Sequence, residues 1–196
     1  MLLLPLLLLL QAPTGHAILE AEHARAEDVS TLLNGLKSPE VRIQRLAVRA
    51  VGRLERPALR DSVLPLLGSS EAEVRREAVA AIAQMGAAFD FASLLASEKS
   101  GAVRAVIYES MGRAKPPSSD TEARLVAGLK DQDLVARTGA ARGLETLVRQ
   151  NIKSARPGSA TVEALRMAIR ENPVSRLRQF ALLALNAAGD QDAATF

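Results

Sequence analysis

Apolar and small residues recur along this chain at offsets 0, +4, +7 and +8. The stripe reads Ile43, Ala47, Ala50 and Val51, then Val74, Ala78, Ala81 and Ile82. It returns as Val103, Ile107, Ser110 and Met111, as Ala136, Ala140, Gly143 and Leu144, and as Leu177, Ala181, Ala184 and Leu185. Successive copies start 31, 29, 33 and 41 residues apart. These offsets lie on one face of a helix, and the small residues at +4 and +7 let a neighbouring helix come close. A shorter apolar stretch precedes each stripe: Leu32-Leu33 with Leu36, Val63-Leu64 with Leu66-Leu67, Phe91 with Leu94-Leu95, Leu125-Val126 with Leu129, and Leu165 with Ala168-Ile169. Each unit therefore predicts a helix, a short turn and a second helix.

The turns carry start signals. Ser38-Pro39 and Asn172-Pro173 predict a capping side chain before a proline at the first helical position. Ser70 with Glu73, and Ser119 with Glu122, have the spacing of capping boxes. Pro57, Pro116-Pro117 and Pro157-Gly158 punctuate the units, and Pro65 predicts a first-turn position or a mild kink.

The unit resembles HEAT repeats of the short bacterial kind: a polar or acidic turn, Val-Arg, Ala, then Ala-Leu and often Gly. Val74-Arg75-Arg76-Glu77-Ala78 with Ala81-Ile82 matches most fully, and Asp131-Gln132-Asp133 is the most acidic turn. The fifth copy departs most, with Val174 at the acidic position and a longer loop before it. The resemblance covers residues 28–190. It implies an all-α fold, a right-handed α-solenoid of about five helix pairs with the second helices on a concave face and each repeat touching its neighbours.

The first residues read differently. Leu2 to Leu10 is an apolar run broken only by Pro5, too short for the roughly 20 residues that span a bilayer. With Gly15-His16-Ala17 as a small-x-small site it predicts a secretory signal over 1–17, cleaved after Ala17. No Lys or Arg precedes the run. Residues 18–27 are then a flexible lead-in and 191–196 a C-terminal tail. The expected location is periplasmic or secreted, with no membrane span after cleavage.

Composition narrows the chemistry. The 196 residues are 48% hydrophobic and 24% charged, but only 3% aromatic, which suits helices rather than a large sheet. There is no Cys, and the two His are His16 and His23. Disulfides, thiolate metal sites and cysteine nucleophiles are excluded. No metalloprotease, nucleophile-elbow, phosphate-loop or dinucleotide motif is present. The sequence predicts no catalytic residue, metal or cofactor.

Two sets of polar residues stand out. Arg75, Arg104, Arg137 and Arg178 follow the first stripe residue, where copy one has Gln44. In similar repeats this Arg reaches acidic turn residues of an adjacent unit. The resemblance thus implies a ladder to Glu40, Glu71, Asp131 and Asp133. The second set lies opposite the stripe: Arg45, Arg49, Arg53, Arg76, Arg113 and Arg142, against Glu109 alone. If these line the concave face, that face is electropositive, consistent with the net charge of +3. Neighbours such as Glu77 and Glu55 offset it in the competing reading.

The leading expectation is a non-catalytic exported scaffold that binds a protein or peptide, acidic in character, on its concave face. An alternative comes from Arg49 to Pro57 and Ala140 to Glu145, which resemble the HEAT-repeat segment preceding a cyclophilin-type peptidyl-prolyl isomerase in some bacterial exported proteins. No cyclophilin motif lies in these residues. Nucleic-acid binding, as in HEAT-like DNA glycosylases, is opposed by the leader, the lack of Trp and the modest charge. Nothing points to the tetrapyrrole of a HEAT-like bilin lyase.

Overall fold

The computed structural model describes residues 13–86, 89–153 and 155–195. The leucine run lies outside them. Among the described residues there are helices and turns and no strand. The first helix among the described residues is α1 (Gly15–His23). Five pairs follow: α2 (Ser30–Leu36) with α3 (Val41–Arg53); α4 (Arg60–Val63), set between two 3-10 segments, with α5 (Ala72–Gln84); α6 (Phe91–Ser97) with α7 (Gly101–Arg113); α8 (Thr121–Gly128) with α9 (Leu134–Asn151); and α10 (Ser159–Glu171) with α11 (Ser175–Ala188). A 3-10 turn, Gln191–Thr195, closes the chain. The fold is an α-solenoid.

The stripe is the core. Its 20 residues are all buried, and Ala47, Ala78, Ile107, Ala140 and Ala181 at +4 are fully so. Consecutive second helices pack along α3, α5, α7, α9 and α11, whereas the first helices barely touch one another. In a curved stack the closer-packed layer is the inner one, so the second helices line the concave side.

Small residues set that spacing. A Cβ at Gly52 would stand 2.7 Å from the Ala81 backbone, and one at Gly143 would stand 2.5 Å from the Tyr108 carbonyl. A Cβ at Gly112 would strike the backbone of Gly143. The α7–α9 contact is therefore backbone against backbone.

Several local expectations are corrected. Glu71 and Asp120, not Ser70 and Ser119, are the N-caps of α5 and α8, so neither capping box forms. Glu122 instead accepts from Gly158 N at 2.9 Å and from the Thr161 hydroxyl, tying α8 to the start of α10. The prolines after Ser38 and Asn172 sit in the turns, because α3 and α11 begin at Val41 and Ser175. Pro65, by contrast, takes the expected first-turn position, as the second residue of the 3-10 segment Leu64–Gly68.

The first and last described segments both pack into the fold. Residues 18–27 are not a loose lead-in: α1 packs on α2 and α3, and Ile18 is fully buried. The Arg56 guanidinium donates to the Arg25 and Ala26 carbonyls, at 2.9 Å each, and Arg25 donates to the Leu54 carbonyl at 3.1 Å. At the other end Gly189 adopts the left-handed conformation (φ 74°), and Asp190 N donates to the Leu185 carbonyl at 3.1 Å. Arg166 then grips Asp190 at 3.0 and 2.6 Å and Asp192 at 2.9 Å. The tail is docked, with Ala193 buried.

Overpacking should break this stack. Ala81→Leu is expected to cost about 1–3 kcal/mol. Gly112→Ala should also destabilise, despite gaining about 1 kcal/mol of helix propensity, because its methyl meets backbone that cannot swing aside. Exposed Ala102→Leu should stay within about 0.5 kcal/mol of wild type. Urea unfolding checks all three, and equal midpoints would show that the register is wrong.

Candidate functional site

The five turns between paired helices share one construction. Ser38, Ser69, Glu98, Asp131 and Asn172 each accept, through the side chain, the backbone N–H two residues on, at 2.7–3.2 Å. Six residues later come Gln44, Arg75, Arg104, Arg137 and Arg178. Each of these folds back onto its own turn. Gln44 donates to the Leu36 carbonyl at 2.9 Å, Arg75 to Ser69 and Ser70 at 2.8 and 3.1 Å, and Arg104 to Lys99 and Glu98 at 2.8 and 3.3 Å. Arg137 donates to the Asp131 carbonyl, and Arg178 to Asn172 at 2.7 Å. These bonds occupy carbonyls that the turn leaves without helical partners.

Two of the arginines also reach forward to the next turn. Arg75 holds Glu98 in a two-bond fork at 2.8 and 2.9 Å, and Arg104 holds Asp131 likewise at 2.8 and 2.7 Å. The Tyr108 hydroxyl adds a bond to Asp131 at 3.3 Å. Both carboxylates are buried, with side chains 4% and 7% exposed. The guanidinium hydrogen bonds hold both carboxyls below the usual carboxylate range, although burial pulls the other way. Burial first, and then Asp131, push the Tyr108 phenol up.

The ladder implied by the sequence is thus partly relocated. Asp131 is an acceptor, and Glu98, which sequence reasoning missed, is the other. Glu40, Glu71 and Asp133 are N-cap residues of α3, α5 and α9 and receive none of the described arginine bonds. Asp133 accepts from Val135 N and Ala136 N at 2.8 and 3.2 Å. The turn ahead of Arg137 offers Asn172 where Arg75 and Arg104 meet a carboxylate; among the described residues Arg137 and Arg178 bond only to backbone. The spacing of six between turn acceptor and arginine is the signal that would have found Glu98.

The six arginines expected on the concave face all lie on second helices, and four of them are neutralised. Arg45 pairs with Glu73, and at 3.9 Å with Glu77. Arg76 pairs with Glu77 at 3.0 Å, and Arg142 with Glu109 at 3.1 Å. Arg53 is held by Glu22 of α1. Arg49 and Arg113 are exposed and have no described ion pair. Arg42, not singled out from the sequence, completes the α3 row with Arg45 and Arg49. Free charge in this set is thus densest at α3, the copy richest in these arginines, and elsewhere glutamates offset it. Towards α11 exposed apolar residues join the cations. Val135 and Leu183 are exposed, and the Arg142 and Arg176 guanidiniums stand 5.8 and 5.4 Å from the centre of the Phe180 ring.

Among the described residues no cluster of His, Asp or Glu could hold a metal ion, and no helix is long and apolar enough to cross a membrane. The HEAT repeats family profile matches residues 29–97, which span the first two units and α6. An engineered protein of known crystal structure superposes with a TM-score of 0.53 at 21% identity, over 91% of this chain and 85% of that one. The chain is an α-solenoid of HEAT/armadillo type. Two designed armadillo repeat proteins are also similar. One has a TM-score of 0.49 at 18% identity, covering 90% of this chain and 88% of that one. The other, solved in complex with the peptide (KR)4, has a TM-score of 0.48 at 15% identity, covering 90% and 87%. No curated protein matches the sequence.

The clamps make stability pH-dependent with a defined sign. A carboxyl lowered on folding stabilises above its unfolded pKa, about 3.9 for Asp, and that contribution is lost as pH falls through the lower folded value. Arg104→Met leaves Asp131 buried without its cation and should cost about 3–5 kcal/mol at pH 7. The difference from wild type should shrink below about pH 4. Denaturant unfolding across pH 2.5–7 checks this, and a constant difference would mean that the pair does not couple.

Proposed function

We propose that this chain is a non-catalytic scaffold that binds a protein or peptide partner along its concave face, and that it is exported. The observation that carries the binding reading is the inner layer itself. Five second helices run side by side and present one continuous surface of long side chains, from Arg42 and Arg49 at α3 to Leu183 at α11. Such a surface suits an extended partner contacted in turn by successive repeats.

Selection of a random 16-residue phage-displayed peptide library on the immobilised chain tests this reading. Peptides should be enriched, and hydrogen-exchange protection on binding should fall on α3, α5, α7, α9 and α11. No enrichment, or protection on the first helices, would refute it.

Export is supported by the leucine run and the Gly15-His16-Ala17 site. Thr14 caps α1 and accepts from Ala17 N at 3.2 Å, so a cut after Ala17 removes the cap and first turn. It leaves the buried Ile18 and the Glu22–Arg53 pair in the mature chain. Protein recovered from the cell envelope should begin Ile18-Leu19-Glu20 on N-terminal sequencing. An intact Met1 on protein from the cytosol would contradict export.

A further inference from the structure

We infer that the concave face is divided, and that it takes an extended protein segment with acidic residues over α3 and an apolar or aromatic residue over α9 and α11. The inference rests on the scaffold reading above and adds the chemistry of the partner and its placement.

At the α3 end, Arg42, Arg45 and Arg49 are spaced i, i+3 and i+7 and form one row. A groove of about 260 Å³ runs beside them, lined by Leu19, Leu46 and Glu77 as well as the three arginines. Arg45 is held by Glu73 and Glu77, whereas Arg42 and Arg49 are exposed with no described ion pair. Leu19, 44% exposed, gives this groove an apolar wall. Two free guanidiniums over such a wall suit a carboxylate, which the arginine fork can take with two bonds.

The middle of the inner layer is largely neutralised, with Arg113 its one arginine of this set without a described ion pair. Glu77 compensates Arg76, and Glu109 compensates Arg142. A uniform polyanion such as nucleic acid would meet Glu73, Glu77 and Glu109 along its path, which disfavours phosphate at every step. At the far end Val135 on α9 is 56% exposed and Leu183 on α11, three residues past Phe180, is 46% exposed. Exposed large apolar side chains on the inner helices are candidates for contact with a partner. Neighbouring helix axes lie about 8–10 Å apart, so α3 to α11 spans about 40 Å, or about 12 residues of extended chain.

The test uses the library-derived peptides with two double variants of the full chain. Arg42→Glu/Arg49→Glu alters the cationic end. Val135→Ser/Leu183→Ser alters the apolar end and spares Phe180, which packs against the core. Enriched peptides should carry at least two acidic residues separated from an apolar or aromatic one. By fluorescence anisotropy each double variant should weaken binding by about tenfold or more, with unchanged circular dichroism. Loss through the arginine variant should disappear at about 1 M salt, where screening acts within about 3 Å, and loss through the apolar variant should persist. Enriched peptides that are basic, or binding indifferent to Arg42→Glu/Arg49→Glu, would overturn this inference and leave the scaffold reading standing. A 20-nucleotide single strand binding more tightly than any peptide would also overturn it. Failure to enrich any peptide would overturn both.

Discussion

Each repeat is locked by a side chain six residues past the turn that it closes. That side chain satisfies carbonyls of its own turn, and in the two central cases it also grips the carboxylate of the next turn. One guanidinium thus fixes the conformation within a unit and the distance between units. A planar donor fork can bond in two directions at once, which an ammonium cannot do with the same geometry. With the turns held at that distance, the second helices meet closely enough that Gly112 and Gly143 touch through backbone. The concave surface follows from that contact, because its curvature is set by how near the inner helices come.

The lock is graded along the chain. The first unit uses neutral Gln44, the last two arginines bond only to backbone among the described residues, and the forked pairs lie at Arg75–Glu98 and Arg104–Asp131. Cooperativity in a repeat array depends on the coupling between neighbours, so the centre holds most firmly and opening begins at the ends. The ends are secured by other means. Arg53 and Arg56 tie α1 to the first unit, and Arg166 ties the closing turn to α10.

The helix pairs were legible because a 3.6-residue period forces buried positions into a stripe, and every member of that stripe is buried. The partners of the polar residues were less so, because they depend on register between units. Glu71 and Glu98 look alike in sequence, yet Glu71 sits two residues nearer its helix and becomes an N-cap, while Glu98 sits at the turn position that faces Arg75. The exact partners of the second-helix arginines depend on the same register. Glu73 and Glu77 lie on α5, but they project towards Arg45 on α3, a pairing that no single-helix pattern contains. Helix α1 was missed because one buried residue, Ile18, anchors it, and a single residue carries no period.

The central claim is that the arginine clamp couples adjacent repeats. A double-mutant cycle on Arg75→Met and Glu98→Gln, read by denaturant unfolding at pH 7, tests it most directly. Charge-assisted bonds of this kind contribute about 1.5–3 kcal/mol, so the coupling energy should be at least about 1.5 kcal/mol. It should fall below about 0.5 kcal/mol at pH 2.5, where Glu98 is protonated. Additive losses at pH 7 would contradict the account, because each residue would then act within its own unit alone.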